Sequence, residues 1–404
     1  MSIPLSDSTP SATDGARIAA EAETGARTPR HPVAIWTIAG LCLIWSLFQL
    51  FIAYYPINAI IARTWHLAFA MSLVFLVFPF ERQSRHQSKP SRWVHQIRKI
   101  APGFGRHSHL EQIPIYDILL SVLAALSVLY LWWDYGNIIK RSGLPSQMDV
   151  WVGVVAILLL LEAARRALGP ALPILALIFL LYCFIGPWLP EFLRHRGIPL
   201  DYVVNDMYLS DTGIFGVPLG VSTDFVFLFV LFGALLDKAG AGKYFIDVAF
   251  AALGGLRGGP AKAAIVASGL TGLVSGSSIA NTVTTGTFTI PLMKKVGLPA
   301  YKAAAVEVAA STNGQLMPPV MGAAAFIMAE IIGIPYLDVV RAALLPALIS
   351  YLALFYVVHL EAIKLNIRAL SRHELPAFLK TLQRGLLYLS PLAVLIVYLG
   401  VLRR

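Results

Sequence analysis

GLTGLVSGSSIANTVTTGTFTIP, residues 269–291, packs Ser, Thr, Gly and Asn into a chain that is otherwise mostly apolar. The polar centre is flanked by two apolar arms, 260–274 and 279–293, each below the roughly 20 residues that cross a bilayer as helix. Lys262 stands at one base, and Lys294 and Lys295 at the other. Both bases therefore belong on one side, the cytoplasmic one. The pattern predicts a re-entrant hairpin over 260–293 with Ser275-Gly276-Ser277-Ser278 as its tip. Gly276 permits the reversal, and Ser277 or Ser278 can cap the second arm. Non-helical backbone at that depth survives only where protein or a watery cavity satisfies it. The first arm ends there in carbonyl oxygens and the second begins there in N–H groups, so a cation site and an anion site lie side by side.

The rest of the chain fits a membrane setting. Hydrophobic residues make up 57% of the 404 and charged ones 13%, with mean hydropathy +0.70. Apolar runs near spanning length recur at 33–55, 59–80, 114–134, 150–168, 170–189, 221–237, 336–359 and 386–402. Trp36, Trp65, Trp132, Trp133 and Trp188 stand at run edges as interfacial anchors. The chain reads as an all-α polytopic membrane protein. Its net charge of +10 resides in loops between apolar runs, which excludes a nucleic-acid partner. Cys42 and Cys183 fall inside apolar runs, and no CxxC or HExxH spacing occurs. Neither a disulfide framework nor a zinc site is indicated. Residues 1–30 read as a disordered tail. The basic 81–113 loop, with Arg82, Arg85, Lys89, Arg92, Arg98, Lys99 and Arg106, belongs in the cytoplasm, and so then does the N-terminus. Arg165 and Arg166 also fall inside, and 190–220 falls outside. The segment 242–256, too short to span and bracketed by Lys243 and Arg257, reads as an amphipathic interfacial helix.

A second irregular element follows the hairpin. The run 299–333 is interrupted by Asn313-Gly314 and Pro318-Pro319, and the prolines both lack donors and force the preceding residue out of α geometry. This predicts a broken helix whose freed carbonyls around Gly314–Met317 suit an alkali cation. Small-residue stripes also serve plain helix packing, and a doubled proline alone is commonly a kink. Two polar breaks so close together favour a site. Glu307 and Glu330 flank the break and are open to either a functional or a pairing role. Asp224 and Asp237 read as interfacial, at the ends of their span, and His359 as structural.

The segments GGLRGGPAKAAIVASGLTGLVSGSSIANTVTTGTFTIPLMKKVGLP and EVAASTNGQLMPPVMGAAAFIMAE resemble the membrane subunit of tripartite ATP-independent periplasmic (TRAP) transporters, specifically the fused permeases of the TAXI branch. The likeness is close over 240–335 and looser over 31–400. It implies a small-subunit-like four-helix bundle with a linking helix over 31–190, then the start of a large transport subunit over 191–404. That second part corresponds to the first inverted repeat, a re-entrant hairpin plus a broken helix, of an elevator-type transporter. The implied activity is sodium-driven import of a small organic solute, usually an anion, across the bacterial inner membrane. A periplasmic solute-binding protein delivers the solute.

The resemblance places a co-transported sodium ion at Ser275, Ser278, Gly314, Met317 and Pro318, and the solute near Ser277, Asn281, Thr312 and Asn313. Only the first of the family's two repeats is expected in this chain. A second SGS-type tip is missing after residue 335, and Arg403 and Arg404 would fall outside, against the charge rule. The expectation is a permease cut short after its first repeat, or one completed by a second chain. A non-transporting membrane scaffold is the alternative of another class. An intramembrane serine hydrolase is set aside, because the nearest lysines stand at the hairpin bases, an arm's length from the serines. The chain is therefore not expected to be an enzyme.

Overall fold

The structure, a computed structural model, describes residues 26, 27, 29, 31–80, 113–141, 143–367, 369 and 375–401. Most of the 1–30 tail and of the 81–113 loop, with Arg403 and Arg404, lie outside the described residues. Among the described residues there are helices and no strand, and seven helices are long and apolar enough to cross a membrane. The chain is an all-α polytopic protein, as its hydropathy predicts. It falls into two compact units divided between Asp224 and Phe225.

The first unit contains α1 (Pro32–Tyr54), α2 (Ala59–Val77), α3 (Ile115–Trp133), α4 (Tyr135–Lys140), α5 (Gln147–Leu168), α6 (Ala171–Ile185) and α7 (Leu200–Val204). Its core joins Leu67, Met71 and Phe75 of α2 to Val128 and Leu131 of α3 and Ala156 and Leu159 of α5. Val204, Tyr208 and Phe215 complete that core, so the 190–220 segment packs rather than merely connecting. The helical spacing of Val204 and Tyr208 puts both on one face. Helix α5 starts in a reciprocal capping box between Ser146 and Asp149. Near its other end Arg166 donates to Asp117 at 2.6 Å, with both side chains fully buried, and Arg27 pairs with the same carboxylate. Arg166 also bonds Glu162 at 2.8 Å.

A span over Val217–Ala239 is built from α8 (Val217–Val221), a π-helical stretch (Ser222–Val226) and α9 (Phe227–Ala239). It begins earlier than the apolar run at 221, because Pro218 is tolerated in a first turn. Asp224 consequently sits within the π stretch and not at the span's end, which corrects the interfacial reading. Asp237 stands in the last turn of α9, as its position predicts.

The second unit continues through α10 (Ala241–Leu253), α11 (Gly259–Ser275), α12 (Ser278–Lys295), α13 (Ala300–Gly314), α14 (Ala323–Ile332), α15 (Tyr336–Lys364), α16 (Phe378–Arg384) and α17 (Leu386–Val401). Helix α10 buries Tyr244, Phe245, Ala249 and Phe250 on one face and packs on α11. Helix α17 covers the run expected over 386–402 as far as Val401, the last described residue. Helices α11 and α12 are joined by a two-residue turn, and α13 and α14 are separated by the irregular stretch 315–322. Ala261, Ala264, Ala303, Ala310 and Ala362 fill the core between the hairpin, α13 and α15. Such small side chains let helices approach closely where apolar burial alone gives little drive.

Candidate functional site

The hairpin reverses over only Gly276 and Ser277. Gly276 adopts φ +59, and a Cβ there would lie 2.5 Å from the Met321 carbonyl oxygen. Glycine is thus required twice, for the left-handed turn and for the approach to the broken helix. Ser277 caps α12, its hydroxyl accepting from the Ala280 N–H at 3.3 Å. One of the two serines able to cap does so, and its neighbour Ser278 is released for another bond. The Gln315 amide donates to the Ser278 hydroxyl at 3.1 Å, tying tip to break. Ser275 is the last residue of α11, and its side chain lies outside the described set.

The break runs from Gln315 to Gly322 between the two half-helices. A tight turn closes α13, with Met317 N–H donating to Gly314 O at 3.1 Å, and the Pro318–Pro319 peptide is cis. Gly322 N–H returns to Gln315 O at 2.8 Å, and the Tyr336 hydroxyl donates to Pro319 O and Val320 O, both at 2.8 Å. Among the described residues no donor reaches the carbonyls of Met317 or Pro318. Those two oxygens stay available, as hard ligands for a cation must.

Two glycines allow the break to sit against the first arm. A Cβ on Gly272 would lie 2.7 Å from the Gly314 Cα, so α11 and α13 cross in backbone contact. Asn281 of α12 is 1% exposed, and its amide donates to Ser268 O at 2.8 Å and Ser268 Oγ at 3.0 Å. Since a carbonyl only accepts, this bond fixes the nitrogen, and Oδ1 is left with no partner. Thr312 differs from the other expected solute contacts, being exposed with its hydroxyl bonded to Val308 O of its own helix at 2.8 Å. Asn313 is half-buried in the last turn of α13. The tip borders a largely apolar cavity of about 890 Å³ that Gln315, Met321 and Phe326 also line. A second cavity of about 450 Å³ reaches Ser277, Asn281 and Thr284.

Sequence reasoning missed a polar layer below the tip. Ser268 and Ser311 meet at 3.0 Å, and Ser311 reaches the Glu307 carboxyl at 3.4 Å. Thr285 and Thr289 contact the two oxygens of that same carboxyl, the latter at 2.5 Å. Asn281, Thr285 and Thr289 recur at every fourth residue, which puts them on one face of a helix. That ladder was the available signal.

A multi-pass helical protein whose short hairpin tip abuts an unwound helix break has the architecture of a secondary transporter. A sequence profile described as "Tripartite ATP-independent periplasmic transporter, DctM component" matches residues 155–404. This chain belongs to that family. It is 31% identical over 158 residues to the "C4-dicarboxylate TRAP transporter large permease protein DctM" of Pseudomonas aeruginosa, 39% of this chain and 36% of that one. It is 28% identical over 221 residues to the "Isethionate TRAP transporter permease protein DctMQ" of Oleidesulfovibrio alaskensis, 52% of this chain and 33% of that one. A further DctM protein, from Rhodobacter capsulatus, is 36% identical over 91 residues, 22% of this chain and 21% of that one. The matches thus span between about a fifth and about a third of the relatives' lengths. These three relatives are named as permease proteins of TRAP transporters.

Proposed function

We propose that this chain is the sodium-coupled part of a TRAP permease that imports a small organic anion across the bacterial inner membrane. Residues 31–190 form the small-subunit-like bundle and 191–404 the first repeat of the large subunit, fused as in the TAXI branch. The N-terminus is cytoplasmic, and the hairpin is re-entrant. The hairpin and the broken helix move together as the mobile element of an elevator.

The observation that carries this reading is the joint between tip and break: Gly276 against Met321, Ser278 bonded to Gln315, and unclaimed carbonyls at Met317 and Pro318. Sodium binds there through Ser275, Ser278, Gly314, Met317 and Pro318. The solute lies beside it, near Ser277, Asn281 and Asn313, with the exposed Thr312 at the rim. Relatives named for C4-dicarboxylate and for isethionate support an anionic solute. A periplasmic solute-binding protein delivers it, and a second chain supplies a second repeat where one is needed.

Reconstitution into liposomes with a cognate binding protein, and with that second chain, tests the proposal. Uptake is expected with an inward sodium gradient and not when potassium replaces it. Equal uptake in the two salts would overturn sodium coupling.

A further inference from the structure

Glu307 lies on α13 with no solvent exposure. Among the described residues no Lys, Arg or His pairs with it; its partners are the hydroxyls of Thr285, Thr289 and Ser311. Gly286 of α12 makes room for it, since a Cβ there would lie 3.1 Å from the Glu307 Cγ. The carboxyl is therefore pressed between hairpin and broken helix in wholly neutral surroundings. An ionised carboxylate left there without a counter-charge costs several kcal/mol.

The count of hydrogens makes the same point by another route. Thr285 Oγ1 touches Asn281 O at 2.7 Å as well as Glu307 Oε1, and Thr289 Oγ1 touches Thr285 O at 3.0 Å as well as Glu307 Oε2. Backbone carbonyls carry no hydrogen, and each hydroxyl carries one. Two hydroxyl protons thus face four oxygen–oxygen contacts. A proton on the carboxyl fills a third. A sodium ion would need space among its oxygens, whereas the Thr285 and Thr289 oxygens already touch the carboxyl directly.

We propose that Glu307 is a proton-binding site, whose side chain clasps the hairpin to the broken helix as a neutral carboxylic acid. The step is simple protonation: the carboxylate takes one H⁺ from solvent and returns it when it ionises. Ser311 and Ser268 extend a hydroxyl chain from Glu307 as far as the Asn281 amide, which borders the cavity of about 450 Å³.

The titratable groups on the packed elements leave the clasp neutral. Tyr351 of α15 donates to Ala310 O at 2.9 Å. Lys262 of α11 is engaged with His359 at 3.0 Å, Lys302 of α13 pairs with Glu361, and Lys294 and Lys295 stand exposed at the far end of α12. The clasp concerns the proton on one side chain and stands whether or not sodium drives uptake.

Infrared spectroscopy of the full chain in lipid nanodiscs at neutral pH tests it. Wild type should show a protonated-carboxyl C=O band worth one group per chain. It should be absent from Glu307→Gln, shifted in D2O, and the same in sodium and potassium. A Glu307→Gln difference spectrum that loses only carboxylate bands would overturn the proposal, and so would a wild-type band that sodium abolishes. Should Glu307→Gln fail to fold, ¹³C labelling of glutamate carboxyls identifies the wild-type band, and Thr289→Val must move it. An unmoved band would overturn the proposal equally.

Discussion

Two buried carboxyls in this molecule are treated in opposite ways. In the first unit Asp117 is held by Arg27 and Arg166, and both arginines are further bonded to backbone carbonyls or to Glu162. In the second unit the polar partners of Glu307 among the described residues are hydroxyls. The first arrangement locks helices by charge, a contact that is costly to break and suited to a fixed scaffold. The second joins helices without an ion pair among the described residues, beside the break between α13 and α14. The two units thus hold their buried carboxyls by different chemistry, ion pairs in the first and hydroxyl contacts in the second.

Removing Asp117 attacks the comparison where it is strongest. Asp117→Ala leaves Arg27 buried without a counter-charge and Arg166 with Glu162 alone, and a loss of about 3–5 kcal/mol is expected in reversible unfolding in detergent. A near-neutral result would mean that the bundle does not depend on that charge. Next in size, Gly272→Val drives a side chain into the Gly314 backbone. It should destabilise by about 1–3 kcal/mol through overpacking, read by the same assay. Ser277→Ala removes the cap of α12, with an expected loss of about 1 kcal/mol. The smallest effect belongs to Asp338→Asn, which dissolves an exposed pair with Arg341. Thermal melting should register no more than about 0.5 kcal/mol there, and a larger value would show that exposed pairs weigh more than the comparison allows.

The hairpin and the break were legible because both rest on local signals. Arms too short to span, lysines at both bases, a serine able to cap and a doubled proline all act within a few residues of their own position. The Glu307 layer was less legible because its partners come from three helices. The Asn281, Thr285 and Thr289 ladder could be read along one helix, but its meeting with Glu307 depends on which face α13 presents. Asp224 was placed at a span end because the apolar run was read from 221, whereas the helical span begins at Val217. Val204, Tyr208 and Phe215 read as part of a connecting segment, and only tertiary packing reveals them as core.

The central claim is that tip and break form one sodium site. Its most direct test is the melting temperature of the purified chain across a sodium titration at constant ionic strength, with potassium making up the balance. The account predicts saturable stabilisation by sodium, as binding to the native state alone requires. Ser278→Ala, which removes an oxygen ligand, and Gly314→Ala, whose Cβ would lie 3.2 Å from Asn281 Nδ2, should each move its midpoint to higher concentration. Identical curves for the wild type and both variants would contradict the site, and so would a wild type indifferent to exchanging sodium for potassium.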